Sequence, residues 1–287
     1  MSTNSQPILR VENLSKRYPA QRRHILQSVL SASAAQNEPI ELTALNTVSL
    51  ELQRKSTLAL VGQSGSGKST LALCSACLER PTSGSVFFNQ QEITALPEQQ
   101  LRQVRPQIQL VFQDPARALN PRWSALDLIA EPLVIQNRLS PQQCEAKLLQ
   151  LLDLVALPRT SAHKLAHQFS GGQKQRLALA RALALEPQLL LLDEALSALD
   201  CSIQAQIANL LLDLQAQLGL TYLFITHDLA MAAHLADQIA VMHRGQIVES
   251  GSARKVLRAP QHEATRTLLS ATPRFTSSSP HPALVNV

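Results

Sequence analysis

The chain has 287 residues, 45% of them hydrophobic and 16% charged, with a net charge of +5 and a pI near 9.3; these proportions suit a globular protein with a substantial core and exclude a disordered one. The positive balance admits an anionic partner such as nucleotide, nucleic acid or a membrane surface without choosing among them. Four cysteines (Cys74, Cys77, Cys144, Cys201) do not make a disulfide framework, and with neither a secretion signal in MSTNSQPILR nor any run approaching the ~20 apolar residues of a membrane span, the expectation is a cytosolic chain or one held at a membrane through partners.

In chain order, ILRVENLSKRY and NTVSLELQ show the short apolar alternation of half-buried antiparallel strands, separated by an Ala-, Ser- and Gln-rich insertion over residues 19–42. STLALVG is a fully apolar strand that enters GQSGSGKST, and KSTLALCSACLER follows as a helix stopped by Pro81 and Gly84. Cys74 and Cys77 form a C-x-x-C inside that predicted helix with no second pair to complete a tetrahedral metal site, so they read as buried thiols. IQLVFQDP is a further buried strand ended by Pro115, and from Trp123 to about His167 the pattern turns helical. Helix KQRLALARALAL, strand QLLLLDE, helix SIQAQIANLLLDLQAQLG and strand TYLFITH then alternate. In the second of these helices Ile203, Ile207, Leu210, Leu211, Leu214 and Leu218 share one face, and Gly219 supplies a C-terminal cap. QIAVMHRGQIVESG reads as a hairpin turning at Arg244 and Gly245, and beyond Pro260 the tail becomes rich in Ser, Thr and Pro, with a mobile end expected. Alternation of this kind predicts an α/β fold, a mostly parallel sheet covered by helices.

GQSGSGKST (Gly62 to Thr70) satisfies G-x-x-x-x-G-K-[ST] between a strand and a helix. Its glycines let consecutive backbone N–H groups face phosphates, Lys68 reaches the β and γ phosphates, and the Ser69 hydroxyl can ligate Mg²⁺. LLLLDE ends an apolar strand in two acids: Asp193 suits a Mg²⁺ ligand and Glu194 a general base, although both could instead cap a helix or face solvent. His227, closing TYLFITH, is structural in most such settings. If adjacent parallel strands end at one sheet edge, however, it emerges beside the two acids, and Gln113 arrives there by the same reasoning.

HQFSGGQKQRLALARAL poses a different problem, because Ser170, Gly171 and Gly172 open a helix with phosphate-binding chemistry yet bring no lysine and no Mg²⁺ ligand. This is half a site. The economical explanation is that it completes a nucleotide bound on another subunit, two chains meeting head to tail with ATP between them, so that hydrolysis of the γ-phosphate switches a closed dimer to an open one. An ordinary glycine-started helix is the competing explanation.

Taken in order, these segments resemble the ATP-binding-cassette (ABC) ATPases, and the resemblance runs from about Ile8 to Phe275. GQSGSGKST, with Gly62, Ser64, Gly65, Gly67, Lys68, Ser69 and Thr70, looks like the Walker A loop, Gln113 like the Q-loop glutamine and FSGGQ like the signature. LLLLDE looks like Walker B, SALD with Asp200 like the D-loop, and His227 like the switch histidine; Tyr18 matches the aromatic that stacks on adenine. The resemblance implies ATP and Mg²⁺ as cofactors, Ser69, Gln113 and Asp193 at the metal, and Ser170, Gly171, Gly172 and Gln173 serving the nucleotide of the opposing subunit. It implies a cassette over residues 1–258 with a mixed core sheet, an antiparallel β subdomain and a helical subdomain inserted at about 114–170, followed by a C-terminal extension over 259–287.

VFQDPARALNPRWSALDLIAEPL and the tail HEATRTLLSATPRF are similar to the oligopeptide, dipeptide and nickel importer ATPases, particularly the second of their two paired ATPases. That narrower resemblance implies a peripheral protein on the cytoplasmic face of the inner membrane. Its expected partners are a second ATPase subunit, two transmembrane permeases and, through the complex, an extracytoplasmic solute-binding protein. Phe169 stands where leucine is commoner in the signature, and Ala195 and Leu196 depart from the usual residues after Walker B. No cysteine follows Cys201, so no iron-sulfur cluster is expected in the extension. An exporter subunit is the alternative reading. A nucleic-acid-handling ATPase is a third, disfavoured by the lack of coiled-coil arms, zinc-binding cysteines or a second cassette, and no nucleic-acid partner is expected.

Overall fold

A computed structural model of the chain describes residues 6–19, 41–114, 118–136 and 141–271. Almost all of the insertion read at 19–42, Pro115 of the Q-D-P element and the Ser/Thr/Pro-rich end lie outside the described residues. Strands β1 (Leu9–Pro19) and β2 (Glu41–Leu52) pair antiparallel, with Leu9 opposite Leu52 and Val11 opposite Leu50. β3 (Thr57–Val61) leads into the glycine loop and α1 (Lys68–Ser75). β4 (Ser83–Phe88), β5 (Gln91–Glu92) and α2 (Glu98–Val104) precede β6 (Ile108–Val111). A helical block follows: α3 (Ala125–Ile135), α4 (Pro141–Leu154) and α5 (Gly171–Leu183). The chain then alternates through β7 (Leu189–Asp193), α6 (Cys201–Leu218), β8 (Thr221–Thr226), α7 (Leu229–Leu235) and β9 (Gln238–His243). It ends its described part with β10 (Gln246–Ser252), α8 (Ala253–Arg258) and α9 (Glu263–Ala271).

Two sheets result, a four-stranded antiparallel one in the order β2-β1-β4-β5 and a six-stranded mixed one in the order β10-β9-β3-β8-β7-β6. In the second, β9, β3, β8, β7 and β6 run parallel and only the edge strand β10 runs against its neighbour. Because side chains alternate across a strand, the apolar runs of the mixed sheet feed two separate cores. Ala59, Val61, Leu190, Leu192, Tyr222, Phe224, Ile239 and Val241 belong to a core shared with helices α3 to α8. Leu58, Leu60, Leu189, Leu191, Leu223, Ile225, Ala240 and Met242 point to α1 and the antiparallel sheet. A sheet covered on both faces needs apolar residues at every position, which is why LLLL and TYLFIT read as unbroken runs.

The structure shortens α1. The sequence pattern carries that helix on to Arg80, but it ends at Ser75, and Cys77 adopts a left-handed φ of 49°. Leu78 N donates to Leu73 O and Cys77 N to Cys74 O, the paired bonds of a Schellman cap. Cys77 thus holds a helix-terminating position usually given to glycine, and burial pushes its thiol up to about 11 and that of Cys74 to about 12. β4, β5 and α2 have no counterpart in the sequence reading; the hairpin turns at Asn89 and Gln90, both left-handed, the turn geometry that matches strand twist. On α6, Ile207, Leu211 and Leu214 are buried with Ala208, whereas Leu218 is exposed, because Gly219 (φ 66°) turns the chain away there. The β9–β10 hairpin turns at Arg244 and Gly245 as anticipated.

The two-sided burial of the central strands sets an expectation for stability. Leu191→Ala, at a fully buried site in β7, loses about 2–5 kcal/mol of unfolding free energy. Leu42→Ala, at a position 64% exposed, changes it by less than about 0.5 kcal/mol. Urea unfolding followed by circular dichroism measures both.

Candidate functional site

Parallel pairing fixes where the chemistry gathers. Val61 lies opposite Thr226, Asp193 opposite Ile225 and Val111 opposite Leu192, so β3, β8, β7 and β6 end level along one edge. The glycine loop leaves β3 there. Gln113 lies two residues past β6 and His227 one past β8, so both sit in the loops at this edge rather than in the strands themselves.

The loop from Gly62 to Gly67 is held by close backbone approach. A Cβ at Gly62 would lie 2.2 Å from the Met242 carbonyl oxygen, and one at Gly67 (φ 106°) would lie 2.4 Å from the Ala44 carbonyl oxygen. Gly245 N donates to Ser66 O at 2.9 Å and Asn46 N donates to Gly245 O at 2.8 Å, so the β9–β10 turn ties the loop to β2. Ser64 and Gly65 stand exposed at the tip of the loop. Lys68 is buried and its ammonium donates to the Gly62 and Gln63 carbonyl oxygens, each at 2.9 Å. Burial lowers its pKa, while the Glu194 and Asp193 carboxylates act in the opposite sense. Helix α1 starts at a left-handed Gly67 with no side-chain cap and no acid in its first turn, so its first N–H groups are anion donors.

Opposite the loop, the Ser69 hydroxyl donates to Asp193 Oδ1 at 3.0 Å. Burial raises the Asp193 carboxyl, with the Ser69 hydrogen bond and Lys68 lowering it and the Glu194 charge raising it. Glu194 follows the strand in a left-handed conformation, φ 46°, a strained setting for a residue with a side chain. That turn points its carboxylate into a cluster: Gln113 Nε2 donates to Glu194 Oε2 at 3.1 Å, and His227 Nδ1 lies 3.6 Å from the same oxygen. Ser197, in the SALD segment, donates its hydroxyl to the Glu194 carbonyl at 2.9 Å. Gln113, Glu194 and His227 are therefore one assembly, beside the Ser69–Asp193 pair.

Ser170 to Gln173 belong elsewhere in the chain's own architecture. Ser170 is the N-cap of α5 in a capping box: its hydroxyl oxygen accepts from Gln173 N, and Gln173 Oε1 accepts from Ser170 N. The box uses acceptors, which leaves the Ser170 hydroxyl proton and the Gln173 amide protons as outward donors. Ser170, Gly171 and Gln173 are exposed. A Cβ on Gly171 would lie 3.5 Å from Leu199, and one on Gly172 would lie 2.6 Å from Ile203, so this helix start packs on the segment that runs from SALD into α6. Asp200 is exposed at the N-cap of α6 but makes no capping bond. Among the described residues no hydrogen bond joins Ser170–Gln173 to residues 62–70.

Tyr18, at the end of β1, donates its hydroxyl to Glu79 Oε2 at 2.8 Å, and Lys16 pairs with Glu79 Oε1 at 3.0 Å. Sequence reasoning singled out neither Lys16 nor Glu79. The i, i+2 spacing of Lys16 and Tyr18 on one strand face was a usable signal for the first; Glu79 is sixty-one residues from Tyr18 and left none.

A strand, glycine loop and helix with a strand-end acid on the loop serine define a P-loop nucleoside triphosphatase. Comparison with known proteins narrows this. The ABC transporter family model matches residues 45–197, just over half of the chain. The dipeptide transport ATP-binding protein DppF of Escherichia coli (strain K12) is 41% identical over 274 residues, covering 96% of this chain and 79% of that protein. The oligopeptide transport ATP-binding protein OppD of Mycobacterium tuberculosis is 45% identical over 267 residues, covering 93% of this chain; the chain spans only 42% of that relative's length. Among solved structures, the dimeric ATP-binding cassette MJ0796 in a post-hydrolysis state bound to ADP and phosphate superposes with a TM-score of 0.72 at 29% identity, covering 86% of this chain and 99% of that one. This chain belongs to the ABC transporter family.

The glycine contacts separate two kinds of substitution. Gly65→Ala meets nothing within 4 Å and bears only the left-handed backbone cost of about 1–2 kcal/mol. Gly67→Ala bears that and also a clash with the Ala44 carbonyl, and is expected to lose stability by a further ~1–3 kcal/mol. Thermal unfolding of the two variants side by side measures the difference.

Proposed function

We propose that the chain is the ATP-hydrolysing subunit of an importer for peptide-class solutes. It works on the cytoplasmic face of the inner membrane with a second ATPase, two permeases and, through them, an extracytoplasmic binding protein. The observation that carries this reading is the division of the chemistry: Lys68, Ser69, Asp193, Glu194, Gln113 and His227 gather at one sheet edge, while Ser170–Gln173 faces outward on α5. Similarity to the peptide-transport ATP-binding proteins DppF and OppD supports the transport class. The solute itself is selected by the permeases and binding protein.

In this reading the loop N–H groups from Gly62, Ser64, Gly65 and Gly67 through Thr70 and the Lys68 ammonium hold the β and γ phosphates of ATP, and Tyr18 stacks on its adenine. The Ser69 hydroxyl and Asp193 carboxylate, 3.0 Å apart, are the oxygen donors a hard cation takes, and a carboxylate this desolvated favours a cation beside it. Gln113 gives its Nε2 to Glu194, so its amide oxygen is the atom left for a metal. These groups fit Mg²⁺, which when bound neutralises charge on the β and γ phosphates. Glu194 takes the proton of the attacking water, with Gln113 and His227 fixing its carboxylate. On the opposing subunit, Ser170, the Gly171 and Gly172 N–H groups and Gln173 donate to the γ-phosphate, and Asp200 lies along the shared boundary. Exposed Trp123, Val134 and Ile135, which line one surface hollow on the helical block, form the apolar patch to which a cytoplasmic permease segment binds.

Two measurements test this. Glu194→Gln keeps ATP binding but lowers turnover by about 10²–10⁴-fold and accumulates a closed dimer in size-exclusion chromatography with ATP; turnover at the normal rate removes Glu194 from the base role. Ser170→Arg leaves nucleotide affinity of the single chain unchanged and cuts hydrolysis by at least about tenfold, as expected for loss of one charge-assisted donor set at the transition state; full activity with Arg at this position overturns the shared pocket.

A further inference from the structure

The purine-stacking surface of an ATPase must be held at a fixed angle, because a ring free to rotate forfeits part of its stacking energy to entropy. Tyr18 sits one residue from the end of β1, opposite Leu42 of β2; this pairing fixes its backbone, and the ring needs further support. Side chains supply it. The Tyr18 hydroxyl donates to Glu79 Oε2 at 2.8 Å, and the other oxygen of Glu79 takes the Lys16 ammonium at 3.0 Å. Lys16 also donates to the Arg80 carbonyl at 2.8 Å and lies 4.9 Å from the centroid of the Tyr18 ring. Glu79 follows directly on the Schellman turn that Cys77 closes, and its own N–H donates to Leu73 O at 3.2 Å in the last turn of α1. The carboxylate is thus fixed to the far end of the same helix whose first turn carries Lys68, Ser69 and Thr70.

We propose that Glu79 and Lys16 are positioning residues for the nucleotide base: Glu79 fixes the Tyr18 ring relative to the phosphate loop, and Lys16 covers one ring face so that the base takes the other. The Lys16 ammonium also withdraws charge across that face, a cation–π contact that pins the ring from behind. Glu79 is held below the usual carboxylate range by Lys16 and Tyr18, in spite of the burial that opposes this, so it remains an ionised acceptor at neutral pH.

The inference rests on Tyr18 being the adenine platform, and the test separates the two. ADP and pyrophosphate are titrated calorimetrically, with Mg²⁺, into the full-length chain and its variants; pyrophosphate reports the loop alone. Tyr18→Ala is expected to weaken ADP about tenfold or more with pyrophosphate unchanged. Glu79→Ala is expected to weaken ADP about three- to tenfold, again sparing pyrophosphate, with Glu79→Gln less affected because it keeps an acceptor for the phenol. Tyr18→Phe, which retains the ring and removes only the hydroxyl, should weaken ADP about threefold and add nothing in the Glu79→Ala background. Should Tyr18→Ala bind ADP normally, the platform reading fails. If Tyr18→Ala is impaired but Glu79→Ala and Tyr18→Phe bind ADP as the parent does, the platform stands and the positioning role is overturned. Equal losses of ADP and pyrophosphate in Glu79→Ala would make Glu79 a support of α1, which also overturns it. If Glu79→Ala does not fold, Tyr18→Phe and Glu79→Gln decide the matter by the same criteria.

Discussion

The parallel register of β3, β8, β7 and β6 is the constraint on which the site depends. Parallel strands joined by right-handed crossovers end on one edge, and here Val61 pairs with Thr226, Ile225 with Asp193 and Leu192 with Val111. The glycine loop, the paired acids, Gln113 and His227 come from residues 62 to 227, yet Ser69 meets Asp193 at 3.0 Å and Gln113 and His227 meet Glu194 at 3.1 and 3.6 Å. A slip of one residue in any of these pairings would reverse the faces of that strand and send Leu190 and Leu192 into the core now filled by Leu189 and Leu191. Packing on both faces of the sheet therefore holds the catalytic geometry.

Close backbone contact is the second constraint. Gly62 and Gly67 lie against carbonyl oxygens of β9 and β2, and the Gly245 bridge joins the β9–β10 turn to Ser66 and Asn46. A loop that must present several N–H groups to one anion has few side chains of its own to stiffen it. The hairpin and the antiparallel sheet supply the stiffness from outside, which gives the smaller sheet a mechanical part in the site. Glu194 shows the complementary case. Its left-handed φ is unfavourable for a residue with a Cβ, but Glu194 N donates to Ile225 O at 3.0 Å and Ser197 donates to Glu194 O through both its amide N and its hydroxyl. The neighbouring strand and the SALD turn hold the strained residue in place, with Gln113 and His227 at its carboxylate.

Much of this was legible in the sequence because the periodicities were undiluted. Strands covered on both faces read as apolar runs, α6 repeats its apolar face until Gly219, and the loop glycines are spaced by the loop's own geometry. The parts that were not legible fail for separate reasons. Cys77 ends α1 because the amides of Leu78 and Glu79 bond back to Leu73 O, a local cap that places a residue type seldom found at φ > 0 where glycine is usual. β4 opens with Ser and Gly, β5 has only two residues, Gln91 and Glu92, and the Asn-Gln turn lacks the glycine that marks most such hairpins. Gln113 lies past the end of β6 because the apolar pattern continues into Phe112 after the ladder has ended, and His227 lies just outside β8 because Thr226 is its last paired residue. Glu79 could not be found from sequence at all, since its partners are brought together by the fold.

The capping box at Ser170 explains how one helix start can serve two purposes. A Ser–Gln box satisfies the helix by spending oxygen lone pairs: Ser170 Oγ accepts from Gln173 N and Gln173 Oε1 accepts from Ser170 N. The atoms left over are the hydroxyl proton, the Gln173 amide protons and the N–H groups of two glycines, all donors. Glycine at both following positions keeps these donors uncovered, and Gly172 also lets α5 approach Ile203 at the start of α6. An Asp at the cap would satisfy the helix as well but would set a negative charge where, in the proposed function, the opposing subunit's phosphate is received. The choice of Ser, Gly, Gly and Gln follows from requiring a stable helix end and an electropositive, acid-free surface in the same place.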